Sequence, residues 1–203
     1  ISILLAYYVW SLCPTAGGQE SSTRYIKLGP NALVDPELLG IPEDLVPEWQ
    51  QAMVKAFRSY GQALESWEAI GDAHPELTAI PADVLADTAE KGKKTAARMK
   101  RNYRFDRARY YLPVAAATNV MLIMSSRGWA QLCQHLNSHP LLEARTLAEH
   151  IRNELALSAP RLMKHACRKS GIAHGIKAEF DALARAAAAG LPETLVEGAA
   201  STE

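Results

Sequence analysis

The sequence predicts an α+β domain that is rich in helix and carries a small sheet. Two apolar patterns with helical spacing, one beginning near Glu43 and one after His139, indicate long amphipathic helices. The apolar run from Thr118 to Ser126 is instead typical of a buried strand. We expect a single domain over residues 1–190 and a flexible tail over residues 191–203.

Composition and charge are those of an ordinary globular protein. Of the 203 residues, 48% are hydrophobic, and 22 lysines and arginines balance 22 aspartates and glutamates. Zero net charge gives no general attraction to nucleic acid or to an anionic membrane, so neither is expected as a partner. The three cysteines are far apart and predict no disulfide framework, which favours a cytoplasmic location.

The first part of the chain is predicted from short signals. Residues Ile3 to Leu12 are apolar and aromatic, which fits a strand and a buried helix equally well. We expect a loop around Pro14, Gly17 and Gly18, and a short strand over Tyr25 to Leu28. The chain starts without methionine and without a basic leader, which favours a piece of a longer protein over a signal peptide.

Helices are predicted for most of the remaining chain. The first is expected from about Glu43 to Gly71 and the second from about Pro81 towards Asn102. After the predicted strand, a helix runs through WAQLCQHL, and His139-Pro140 opens another that Pro160 bends or ends. A last helix is expected from about Lys177 to Ala189.

Basic residues are concentrated between Lys91 and Arg109, and we interpret this segment as a solvated helix face. Only Arg109 adjoins an apolar stretch, YYLPVAAA, so it is predicted to be buried or to line a cleft. Arg24 follows a loop rich in glycine and serine, whose free amides suit a phosphate. Spacing alone leaves open that both arginines are ordinary surface residues.

A metal site is not expected. Cys133, His135 and His139 lie within seven residues, but their spacing matches no standard zinc motif. The sequence also lacks the glycine patterns of a P-loop, a Rossmann fold or a serine hydrolase.

Three blocks resemble the motifs of flavin-dependent thymidylate synthases, in the correct order. QESSTRYIKL resembles the end of the signature R-H-R-x-x-S-x-N-E-x-S-x-R-Y. ARYYLP is similar to A-R-x-x-L-P, and SSRGWAQL followed by SHPLLEAR resembles N-x-R-S-L-x-N-F followed by S-H-A-Q-W-E-I-R. The matching positions outside ARYYLP are Glu20, Ser22, Arg24, Tyr25, Arg127, Ser138, His139, Glu143 and Arg145.

The resemblance implies a thymidylate synthase complementing protein-like domain that forms homotetramers with active sites between subunits. It implies an enzyme that methylates dUMP to dTMP, with methylenetetrahydrofolate as carbon donor and FAD, reduced by NADPH, as hydride donor. The positions that hold dUMP are Ser22, Arg24, Arg109 and, in one of two possible registers, His135. The positions that face FAD are Glu20, Ser125, Gln131 and His139.

The sequence departs from the family pattern on the flavin side. Leu12, Cys13 and Pro14 stand at the R-H-R positions, and Ser125 and Gln131 replace two asparagines. The nucleotide-phosphate half of the site is therefore retained while the flavin half is eroded. This favours an enzyme with altered cofactor contacts. The alternatives are a non-catalytic family domain that binds nucleotide or completes the site of a companion domain, and a nucleotide-binding protein of unrelated chemistry.

Overall fold

The computed structural model describes residues 1–12, 17–23 and 25–190, and the protein divides into two compact units. The first unit contains residues 1–11 and the described part of 17–123. The second contains Leu12 and residues 124–190 of the described chain. Helices dominate both units and the described strands form one small antiparallel sheet, so the predicted α+β class is confirmed. The predicted tail lies outside the described residues.

The apolar start of the chain forms helix α1 (Ile3–Ser11), which decides between the two predicted alternatives. Leu5, Ala6 and Val9 are buried at helical spacing. The hydroxyl of Ser2 accepts a hydrogen bond from the Leu5 amide at 3.0 Å and caps the first turn.

The loop predicted around Gly17 and Gly18 is wrong for both glycines, which begin strand β1 (Gly17–Glu20). This strand pairs antiparallel with β2 (Val120–Ile123), and Gly18 lies opposite Leu122. A Cβ on Gly18 would lie 2.3 Å from the Met121 carbonyl oxygen, so glycine is required for the close approach of the two strands. The predicted loop residue Pro14 lies outside the described residues.

The other two strand predictions need correction in part. Tyr25 to Leu28 do not form a strand, because the Tyr25 amide donates to the Ser22 carbonyl in a turn and both Tyr25 and Ile26 are exposed. The strand predicted after Thr118 is confirmed as β2, but it is not buried. Its Met121 and Ile123 side chains are 54% and 66% exposed because the sheet has two strands within the described residues.

The long helix predicted from Glu43 is confirmed as α2 (Val46–Ala73), which follows a short 3-10 turn. Its Phe57, Tyr60 and Leu64 side chains pack with Phe105 and Ala116 in the core of the first unit. The helix predicted from Pro81 is interrupted, giving α3 (Ala82–Ala86) and α4 (Glu90–Ala108). Asp87 causes the break because its extended backbone ends α3 and its carboxylate accepts from the Ala89 amide at 2.9 Å.

The basic segment from Lys91 to Arg109 lies on α4 and ends one residue beyond it. Only part of it is a solvated helix face. Five of its cations are exposed: Lys91, Lys93, Lys94, Arg98 and Arg101. Arg104 is half-buried and forms an ion pair with Glu68 of α2, and the Arg107 guanidinium lies 3.6 Å from the centre of the Tyr103 ring. Arg104 therefore links α4 to α2, and Arg107 covers an aromatic residue of α4. Residue spacing alone did not indicate either contact.

The second unit consists of α5 (Ser126–Ser138), α6 (Leu142–Ala156), α7 (Pro160–Met163) and α8 (Ser170–Ala189). Its core joins Ala130, Cys133, Met163 and Ala166, with Ile151 and Leu155 packed against them. α6 ends before Pro160, which starts the short α7 and suits a first helical position. α8 begins earlier than predicted. No helix in the described part of the chain is both long and apolar enough for a membrane span.

Candidate functional site

A cleft of about 210 Å³ opens in the first unit between α1, the end of β1 and the chain after α4. One part of its lining is polar, with Glu20, Ser21, Thr23, Arg109 and Thr118. The rest is apolar or aromatic, and consists of Ile3, Ala6, Tyr7, Tyr110, Leu112 and Val114. A lining with one polar and one apolar part suits a small ligand that has a polar end and a flat, apolar end.

Arg109 is positioned by the end of α4. It starts a 3-10 turn directly after Ala108, which is fully buried, and the Leu112 amide closes the turn by donating to the Arg109 carbonyl at 3.1 Å. The Arg109 guanidinium carbon lies 5.6 Å from the centre of the Tyr110 ring. No carboxylate of the described residues forms an ion pair with Arg109, so its charge is available to an anion in the cleft.

The other polar wall is held by main-chain hydrogen bonds that continue the β1–β2 pairing. The Ser21 amide donates to the Asn119 carbonyl at 3.0 Å, and the Thr118 hydroxyl donates to the Ser21 carbonyl at 3.4 Å. The Thr118 amide in turn donates to the Ile1 carbonyl at 2.7 Å. The sheet therefore fixes Glu20, Ser21 and Thr118 beside the start of α1.

The structure brings two predicted site residues of the first unit together, since Glu20 and Arg109 line the same cleft. Ser22 is half-buried and adjoins the lining residues Ser21 and Thr23, but it is not among the residues that line the cleft. Arg24 lies outside the described residues.

The remaining predicted site residues belong to the second unit. Ser125 caps α5, because its hydroxyl accepts from the Gly128 amide at 3.1 Å, and Gln131 is exposed one and a half turns further along. His135 is half-buried, and burial lowers its pKa below the ordinary value.

His139 is inside the second unit, with 4% of its surface exposed. Its Nδ1 accepts from the Leu141 amide at 3.1 Å, and its ring packs nearly perpendicular to that of Phe180 of α8, with the ring centres 5.4 Å apart. Arg145 donates to the His139 and Pro140 carbonyls. Burial, and secondly the Arg145 charge, lower the pKa of His139, so the ring is neutral near pH 7.

The chain around His139 forms a buried junction between α5 and α6. The Ser138 hydroxyl donates to the Gln134 carbonyl at 2.7 Å and accepts from the Lys169 amide at 2.9 Å. Glu143, in the first turn of α6, is also buried. Within the second unit, the SHPLLEAR block therefore has a clear packing role.

A comparison with protein families shows to which family the chain is related. The model of the thymidylate synthase complementing protein family matches residues 14–161. The chain belongs to this family. The resemblance to flavin-dependent thymidylate synthases is thereby confirmed, and the match includes the cleft residues Glu20, Ser21, Thr23 and Arg109. No curated protein matches the chain.

For this family member, several cleft residues were missed by sequence reasoning. Tyr7, Ser21 and Thr118 carry no local signal, because they meet only where α1 and the two strands come together. Tyr7 lies on the exposed face of α1 together with Leu4, and the sequence gives no sign that this face borders a cleft.

The cysteine considered for a zinc site has a buried thiol that does not suit a metal ion. Cys133 is fully buried, its thiol points to the Ala148 carbonyl at 3.9 Å, and burial raises its pKa to about 11. A thiol in that state is a poor metal ligand because the ligand is the thiolate. Among the described residues, no three His, Cys, Asp or Glu side chains are arranged to hold a metal ion.

Proposed function

We propose that the chain is a flavin-dependent thymidylate synthase-like enzyme whose Arg109 cleft binds dUMP. The proposed reaction methylates dUMP to dTMP, with methylenetetrahydrofolate, FAD and NADPH. The observation that carries the proposal is Arg109 itself, a half-buried cation without a carboxylate partner among the described residues, facing a cleft beside three hydroxyl side chains. Family membership supports the nucleotide as the ligand.

The charges in the cleft indicate how a nucleotide would be oriented. A guanidinium gives two parallel hydrogen bonds to a phosphate, and the hydroxyls of Ser21 and Thr23 are further donors. The Thr118 hydroxyl donates to the Ser21 carbonyl and offers the cleft an acceptor. Glu20 would repel a phosphate placed beside it, so we assign the phosphate to the Arg109 end. Glu20 then accepts a hydrogen bond from a hydroxyl or N–H group of the nucleoside.

FAD needs a site beyond this cleft, since about 210 Å³ is below the usual size of a pocket for a drug-sized ligand. The second unit offers exposed hydrogen-bonding side chains at Ser125 and Gln131, which fit the polar edge of a flavin. The His139 ring does not add to these contacts while it is packed against Phe180. When bound, the reduced flavin would supply the hydride for methyl formation.

A non-catalytic family domain is the second candidate, and the burial of His139 favours it. Such a domain binds dUMP through Arg109 and completes the site of a companion domain, without holding FAD itself. The two proposals differ in one simple property, because only the enzyme is purified with, or takes up, a flavin with its visible absorbance band.

We also propose that the protein self-associates in the cytoplasm, as the tetramers of the family do. Exposed apolar residues on the first unit, among them Met121 and Ile123, support an interface. Light scattering at micromolar concentration is expected to give a mass above that of one chain. A monomer would count against the interface and against an active site built between subunits.

Arg109→Ala is expected to weaken dUMP binding by roughly tenfold to a hundredfold, because one charge-assisted contact to phosphate is lost. Calorimetric titration with dUMP measures the effect. Arg109→Lys keeps the charge but loses the two-pronged geometry, so its affinity is expected between those of the wild type and the alanine variant.

Arg101→Ala is the matched control, since Arg101 is an exposed arginine of the helix that leads to Arg109. It is expected to leave the dUMP affinity unchanged. Equal affinities for the wild type, Arg109→Ala and Arg101→Ala would refute the proposed site.

A further inference from the structure

Tyr7 lies on the exposed face of α1, three residues after the exposed Leu4, and its side chain lines the Arg109 cleft. α1 buries Leu5 and Val9, while the Tyr7 side chain is 63% exposed. Exposing a tyrosine ring forgoes the stabilisation that burial of so large an apolar surface gives. A ring placed at the wall of an amphipathic cleft is instead available to a flat ligand.

We infer that Tyr7 is the platform on which the base of the bound nucleotide stacks. The inference rests on the proposed function and extends it to a residue outside the matched family region, which begins at residue 14. Aromatic side chains stack on nucleobases of any type, because every base has a π-face. The ligand class is therefore a nucleoside monophosphate rather than free phosphate or a sugar phosphate.

Tyr110 supports this division of the cleft. Its ring is 79% exposed and lies beside the Arg109 guanidinium, so this tyrosine belongs to the phosphate end. Tyr7 comes from a different element, and its neighbours in the lining, Ile3 and Ala6, are apolar. A nucleotide held by its phosphate at Arg109 places its base against another part of the cleft lining, and Tyr7 is the aromatic residue that α1 contributes to that lining.

The test compares dUMP with deoxyribose 5-phosphate, which has the same phosphate and sugar but no base. Tyr7→Ala is expected to weaken dUMP binding roughly tenfold and to leave deoxyribose 5-phosphate binding unchanged. Tyr7→Phe keeps the ring and is expected to bind dUMP like the wild type. Tyr111→Ala is the control, because Tyr111 is exposed in the same region without lining the cleft.

Arg109→Ala separates this inference from the proposed function. In the first case, Arg109→Ala weakens the binding of both ligands. If Tyr7→Ala then weakens the binding of neither ligand, or of both equally, the phosphate site is supported and the stacking role of Tyr7 is refuted. If neither ligand responds to Arg109→Ala, the proposed function fails first. Light scattering on Tyr7→Ala adds one more arm: loss of self-association with unchanged dUMP affinity would assign Tyr7 to a subunit interface and overturn the inference.

Discussion

Gly18→Ala is expected to lower the free energy of unfolding by about 3 kcal/mol, the upper end of the range for overpacking a filled site. The new Cβ would lie 2.3 Å from the Met121 carbonyl oxygen and 2.5 Å from the Trp10 ring. The Trp10 ring can turn aside, but the carbonyl belongs to the paired strand. Relief therefore requires β1 and β2 to separate.

The same substitution is expected to weaken dUMP binding, because Glu20 ends β1, Ser21 and Thr23 come just after it, and all three line the cleft. Urea unfolding and calorimetric titration measure the two effects. Gly17→Ala is the matched control in the same strand, since no atom lies within 4 Å of its added Cβ. It is expected to change stability by less than about 0.5 kcal/mol. Equal losses in the two variants would show that strand propensity, rather than close approach, sets the requirement for Gly18.

His139→Ala is also expected to cost about 3 kcal/mol of unfolding free energy. The substitution removes a buried ring from its contact with Phe180 and leaves the Leu141 amide without its acceptor. His139→Asn is the informative partner variant, because an asparagine oxygen accepts from the amide two residues later. His139→Asn is expected to recover part of the unfolding free energy that His139→Ala loses.

The pH dependence of stability has a definite sign at this position. Folding lowers the pKa of His139 from the ordinary value of 6.5, so the folded protein binds fewer protons than the unfolded chain below that pH. Stability contributed by the neutral ring is fully present above pH 6.5 and falls as the pH drops towards the folded-state pKa. Urea unfolding midpoints measure this fall in stability. They are taken at a pH of about 7.5, one unit above the unfolded pKa, and at successively lower pH.

Since burial also lowers the pKa of His135, both histidines make stability fall as the pH drops below 6.5. His139→Asn removes only the share of His139, and the difference from the wild type isolates it. His135→Ala is expected to cost less stability than His139→Ala, because His135 is only half-buried. If His139→Ala leaves stability unchanged but abolishes flavin uptake, the packing role is refuted and the flavin contact implied by the resemblance is supported.

The sequence predicted the parts of the fold that depend on neighbours along the chain. The apolar stripe of α2 was correct because residues three and four apart face the same side of a helix. β1 was missed because glycines locally favour turns. Here glycine is needed at position 18 because the Met121 carbonyl, far along the chain, leaves no room for a Cβ. The break at Asp87 was also missed, since one side chain that caps a turn leaves no periodic signal.

For the site, the sequence by itself determined the family and predicted that Arg109 is buried or lines a cleft, because motif order and the apolar stretch after an arginine are properties of the chain alone. Only the tertiary structure decided which groups share a cleft with Arg109, and it supplied Glu20, Tyr7 and Thr118 from three separate segments. It also decided that His139 is packed inside the second unit. The physical reason is the same in each case: burial and shared clefts are made by contacts between distant segments, and local residue patterns do not encode which segments will meet.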